Sequence, residues 1–166
     1  MTAHRLASIV AASPAETRRA GELLGALALP GDVVALTGGL GAGKTSLTQG
    51  IAEGLGVAGH VPSPTFNILL VHRAALPLYH FDLYRLDDPR QLVDIDFYAT
   101  LESDGLTVIE WADRFPSELP DDRLDVAIEP DGAGGRTLAC AGTGPRSNAL
   151  AQAWAAAWRT DGAGRP

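Results

Sequence analysis

A chain of 166 residues with 46% hydrophobic and 20% charged residues is sized for one core and too short for two ordinary domains. Its lone Cys140 excludes an internal disulfide and a cysteine-based zinc module, and a net charge of −7 argues against a broad cationic face for duplex nucleic acid or anionic lipid. No apolar stretch approaches the ~20 residues that a membrane span needs, so the expectation is a soluble cytoplasmic protein that makes no membrane contact.

In chain order, Arg5 to Val10 reads as a short strand, and a helix follows with Ser13 at its N-cap, Pro14 in its first turn and Glu16 three residues past the cap. Ala20, Leu23, Leu24 and Leu27 form its apolar stripe. Pro30 and Gly31 stop that helix, and Val33-Val34-Ala35-Leu36 is the continuous apolar run of a strand buried on both faces. A glycine loop then leads into a helix over residues 43–55, carrying Leu47, Ile51 and Leu55 at four-residue spacing. Further apolar runs at residues 66–71 and 76–81, a short helix from Pro89 and a strand at residues 106–109 continue the alternation. Residues 124–128 and 136–141 flank Asp131-Gly132-Ala133-Gly134-Gly135 as a late hairpin, and residues 148–159 form an alanine-rich helix with Trp154 and Trp158 four apart. The tail after Thr160 is expected to be loose.

Of the 13 basic residues, Lys44 is the single lysine, and it lies in Gly38-Gly39-Leu40-Gly41-Ala42-Gly43-Lys44-Thr45. This segment matches G-x-x-x-x-G-K-[ST] between a buried-strand and a helix pattern, the context in which such a loop cradles phosphate. Gly38, Gly41 and Gly43 let backbone amides turn inward beside Ala42, and the helix that begins near Lys44, Thr45 and Ser46 offers its positive end to the same anion. In such a loop the lysine bridges phosphate oxygens and the threonine hydroxyl ligates Mg²⁺. Two acids end apolar strand patterns and are candidates to complete a metal site, Asp82 and Glu110; spacing alone does not choose between them. Thr65, in Ser63-Pro64-Thr65-Phe66, is either a switch residue folding over the phosphates or part of an ordinary proline turn. Arg85 and Arg114 stand near the acids as charge stabilisers or as ion-pair partners of local carboxylates. His80 reads as packed within its strand, and Trp111 as either a core residue or part of the cavity wall.

The phosphate loop, Ser63-Pro64-Thr65-Phe66, His80-Phe81-Asp82-Leu83-Tyr84-Arg85-Leu86 and Ile109-Glu110-Trp111 occur in an order and spacing that resembles the TsaE family. The resemblance covers roughly residues 6–141. It implies an ATPase that works with TsaB and TsaD in forming threonylcarbamoyladenosine beside the tRNA anticodon, with tRNA met indirectly through the complex. It also implies that Lys44 and Thr45 bind ATP and Mg²⁺, that Glu110 is a metal ligand, that Asp82 acts through the metal's water shell or on the hydrolytic water, and that Thr65 lies in a switch-like loop. The sequence departs from the family at Gly39, where Asp is usual, at Ser46, where Thr is usual, and at Val93-Asp94-Ile95-Asp96, where a glycine commonly separates apolar residues.

The expected fold is α/β, a three-layer α/β/α P-loop NTPase with a mainly parallel sheet and a short antiparallel addition near the C-terminus. The ATPase domain is placed at residues 1–142, with a C-terminal helix and loose tail at 143–166. Lys44, Asp82 and Glu110 are the expected catalytic residues, Gly38, Gly41, Ala42, Gly43, Lys44, Thr45 and Ser46 the nucleotide contacts, and Thr45 and Glu110 the metal ligands. The adenine is expected beside Ala12 and Ser13. A small-molecule kinase and a non-catalytic ATP-dependent switch are the alternatives. A GTPase is disfavoured, because the Asn-Lys-x-Asp segment of guanine readers is absent.

Overall fold

The computed structural model describes residues 7–59, 61–62 and 67–162. Seven strands form one sheet: β1 (Ala7–Ala11), β2 (Val33–Thr37), β3 (Leu69–His72), β4 (Leu78–Asp82), β5 (Leu106–Glu110), β6 (Leu124–Pro130) and β7 (Arg136–Gly142). The helices are α1 (Pro14–Leu27), α2 (Lys44–Gly54), α3 (Gln91–Asp94), α4 (Phe97–Leu101) and α5 (Pro145–Asp161). The strand order is β1-β7-β6-β2-β5-β4-β3. Its middle, β6-β2-β5-β4, is parallel.

Antiparallel strands close both edges. The late hairpin supplies β7 beside β6, as expected, but β1 also pairs antiparallel with β7, and β3 with β4. These two pairings were not foreseen, because periodicity marks a strand without naming its neighbour. Several element boundaries also move. The first strand runs to Ala11, the runs before and after Ala74 become β3 and β4, which begin three and two residues later and end one residue later than expected, and α5 starts at Pro145 instead of Asn148.

Alternation along β2 explains why the sheet is covered twice. Val34 and Leu36 pack with Leu24 of α1, Leu47 and Ile51 of α2, and Trp154 of α5. Val33 and Ala35 point the other way, into a second cluster with Phe81, Leu92, Phe97 and Phe115, where Phe81 and Phe97 meet edge to face at 5.1 Å. The indole Nε1 of Trp154 donates to Ala20 O at 2.8 Å, tying α5 to α1.

Helix α1 begins as its sequence dictates: Ser13 Oγ, at the N-cap, accepts from Glu16 N, while Glu16 Oε2 accepts from Ala12 N one residue before the cap. It then crosses α2 through glycines. Gly21 and Gly25 of α1 face Gly50 and Gly54 of α2, and a methyl group on Gly50 would lie 1.9 Å from Arg18 O. Helix α5 borrows its cap from afar, since Asp122 Oδ1 accepts from Ser147 N and Oδ2 from Arg146 N. Gly144 permits this approach, because a Cβ there would lie 2.5 Å from Asp122 Cγ. Among the described residues no helix is long and apolar enough to cross a membrane.

Candidate nucleotide site

The parallel strands deliver their C-terminal ends to one side of the sheet, the usual place for a ligand in an open α/β sheet. Thr37 leads there into the glycine loop, Asp82 ends β4 and Glu110 ends β5, directly opposite each other in the ladder. A cavity of about 420 Å³ lies among them, lined by Lys44, Thr45, Ser46, Asp82, Glu110 and Trp111. Its volume falls in the range of small-molecule pockets.

The loop takes backbone conformations that suit glycine at Gly41 (φ 73°) and Gly43 (φ 109°), the residue that precedes α2. A side chain at Gly39 would meet nothing within 4 Å, so glycine there answers no steric need. Lys44 is buried, and its Nζ donates to Gly38 O and Gly39 O, both at 2.7 Å. The Trp111 ring centroid lies 4.2 Å from the same nitrogen. Burial pulls the Lys44 ammonium below the ordinary lysine range, against the opposing charges of Glu110, Asp82 and Asp113.

The two acids differ in their surroundings. Asp82 Oδ1 accepts from Tyr84 N at 3.0 Å. Burial pushes its carboxyl up, and Glu110 adds to the rise, while the Tyr84 amide, His80 and Lys44 oppose it. Glu110 is 3% exposed, and its Oε2 lies 2.5 Å from Nε2 of His80. His80 is therefore packed within its strand, as expected, but it also contacts a site carboxylate. Trp111, at φ 57°, leaves the strand in the left-handed region and forms part of the cavity wall. An aromatic residue held in that conformation is typical of a functional site.

Other residues converge where the sequence gave no local signal. Arg136 reaches from β7 to the loop, donating through Nε to Ala42 O at 2.5 Å and through Nη2 to Gly41 O at 3.2 Å. Arg85 lines the cavity, whereas Arg114 donates to Leu86 O at 2.7 Å. Pro14, next to the Ser13 expected beside the base, and Thr17, one turn further on, line the cavity at the start of α1. Thr65 and the rest of residues 63–66 lie outside the described residues.

The donor set suits an anion and a hard cation. The glycine loop, the α2 N-terminus and Lys44 present positive character to one volume, and Thr45, Asp82 and Glu110 present oxygens to its edge. No cluster of three or more His, Cys, Asp or Glu residues suited to a metal occurs among the described residues. Magnesium accepts such a sparse set, because it is commonly held by one or two carboxylates with substrate phosphates and waters.

Comparison with known proteins agrees with this arrangement. Residues 11–138 match the family described as "Threonylcarbamoyl adenosine biosynthesis protein TsaE". A tRNA threonylcarbamoyladenosine biosynthesis protein TsaE from Bacillus subtilis is 40% identical over 141 residues, covering 84% of this chain and 88% of that relative. Its counterpart from Streptomyces coelicolor is 46% identical over 116 residues, covering 68% and 78% of the two chains. The crystal structure of YdiB from Bacillus subtilis superposes with a TM-score of 0.81 at 33% identity, covering 97% of this chain and 99% of that one. The chain belongs to the TsaE family.

Proposed function

We propose that this protein is a Mg²⁺-dependent ATPase with the three-layer α/β/α P-loop fold, its ATPase unit in residues 1–142 and a C-terminal helix and tail in 143–166. It acts in the cytoplasm with TsaB and TsaD to form the threonylcarbamoyl group on adenosine beside the tRNA anticodon, meeting tRNA through that complex. Family membership and the names of its relatives support the pathway. The observation that carries the ATPase reading is the convergence of one buried loop lysine and two strand-end acids on a single cavity.

In this reading the loop amides and Lys44 bind the phosphates, and the lysine exchanges its bonds to Gly38 O and Gly39 O for phosphate oxygens. Thr45 and Glu110 hold the metal. Bound Mg²⁺ would supply charge neutralisation across the transferring phosphoryl group. Asp82, raised first by burial and then by Glu110, suits a group that orients or takes a proton from the attacking water. Thr65 is the switch residue that the resemblance implies, and Pro14 and Thr17 mark the end of the cavity where the base would lie.

Steady-state ATP hydrolysis with Mg²⁺, measured alone and with TsaB and TsaD, tests the reading, with Lys44→Ala as the blank. Slow turnover that the partners stimulate and Lys44→Ala abolishes is expected. Hydrolysis no faster than the blank under both conditions would overturn it.

A further inference from the structure

We propose that His80 is the positioning residue for Glu110, and that its imidazole fixes the carboxylate for binding a divalent cation. The inference rests on the ATPase reading and adds to it a residue behind the metal ligands. Ladder register sets the pair. Asp82 lies opposite Glu110 and His80 opposite Val108, so His80 and Glu110 are diagonal neighbours on the sheet face that α2 covers. Their side chains are 1% and 4% exposed, with 2.5 Å between His80 Nε2 and Glu110 Oε2.

The second ring nitrogen assigns the proton. His80 Nδ1 is buried without a partner among the described residues. A proton on Nδ1 alone would bury an orphan donor and would set two acceptors against each other at 2.5 Å. The proton therefore resides on Nε2 and is donated to Glu110. One carboxylate oxygen is thereby pinned, and the other is left to a cation. Hydrogen-bonded support behind a ligand commonly governs metal affinity by 10–100-fold. A histidine that merely filled the core would be replaceable by leucine without loss.

The test is Mn²⁺ binding in the presence of ADP, followed by electron paramagnetic resonance, with metal-free ADP binding measured in parallel. His80→Leu and His80→Asn should weaken Mn²⁺ binding about 10–100-fold, since asparagine places its amide near Nδ1 and falls short of Glu110. His80→Gln, whose amide reaches the Nε2 position, should restore most of that affinity. Metal-free ADP binding should not change, because the glycine loop and Lys44 are untouched. Where His80→Leu does not fold, the contrast between Gln and Asn decides. Equal Mn²⁺ affinity for Gln and Asn, or wild-type affinity in a folded His80→Leu, overturns the proposal while leaving the ATPase reading intact. A Glu110→Gln variant that binds Mn²⁺ like wild type overturns the metal role of Glu110, and this proposal with it.

Discussion

The indole of Trp111 covers the ammonium of Lys44, with 4.2 Å between nitrogen and ring centroid. The contact places an intrinsic fluorophore against the group assigned to phosphate. Trp154 and Trp158 are buried on α5, within the core. Adding ADP should therefore change tryptophan emission through Trp111, and Trp111→Phe should remove the change while the other two indoles still report the fold. An unchanged signal in Trp111→Phe would show that the response arises on α5.

Lys44→Ala and Glu110→Gln should each lower ATP turnover by about 10²-fold or more, with far-UV circular dichroism preserved. Glutamine is the better replacement at Glu110. Alanine there would leave the His80 donor buried without an acceptor, at a cost of about 1–3 kcal/mol, and would confuse a fold defect with a site defect. Turnover close to wild type in either folded variant would contradict its assigned role.

Gly50→Ala should destabilise the protein by about 1–3 kcal/mol or more, read from urea denaturation. The added methyl would lie 1.9 Å from Arg18 O and 3.0 Å from Gly21 Cα, so α1 and α2 must separate. Because α2 begins at Lys44, nucleotide binding should weaken as well. A denaturation midpoint within error of wild type would show that the helices adjust freely.

Asp96 occupies the left-handed region at φ 54°. Asp96→Gly should raise stability by about 0.5 kcal/mol. Asp96→Val should lower it by about 1–2 kcal/mol, since a β-branched side chain fits that region poorly. Thermal unfolding of the pair checks the order, and Val at or above Gly would refute the argument.

Asp122 caps α5 from outside the helix. Burial raises its carboxyl, but bonds from Ser147 and Arg146 outweigh that and hold it below the usual aspartate range. A group lowered on folding contributes stability above its unfolded value, near pH 3.9, and loses it as pH falls through the folded value. Asp122→Ala should therefore cost about 1–2 kcal/mol at pH 7, and the difference from wild type should shrink in acid. A difference constant from pH 7 to pH 2 would remove the carboxylate from the cap.

Features set by adjacent residues are legible in the sequence. The glycine loop, its flanking strand and helix, the cap at Ser13 and the two strand-end acids all follow from local spacing. Arg136 was invisible, because only the placement of β6 beside β2 carries the β6–β7 hairpin to the loop. The bond between His80 and Glu110 depends on the β4–β5 register, which no periodicity reveals. Gly50 and Gly54, inside the expected helix, are where two helix backbones touch, a contact that no local spacing marks.

The solitary lysine has a chemical consequence. All side-chain amine reactivity in this chain resides in one nitrogen, buried in the cavity wall beneath an indole. Its lowered proton affinity leaves more free amine near neutrality than an ordinary lysine holds, so an acylating reagent small enough to enter labels a single side chain, apart from the α-amino group. A phosphate seated on that nitrogen protects it, and the extent of acylation becomes a mass-spectrometric gauge of how full the cavity is.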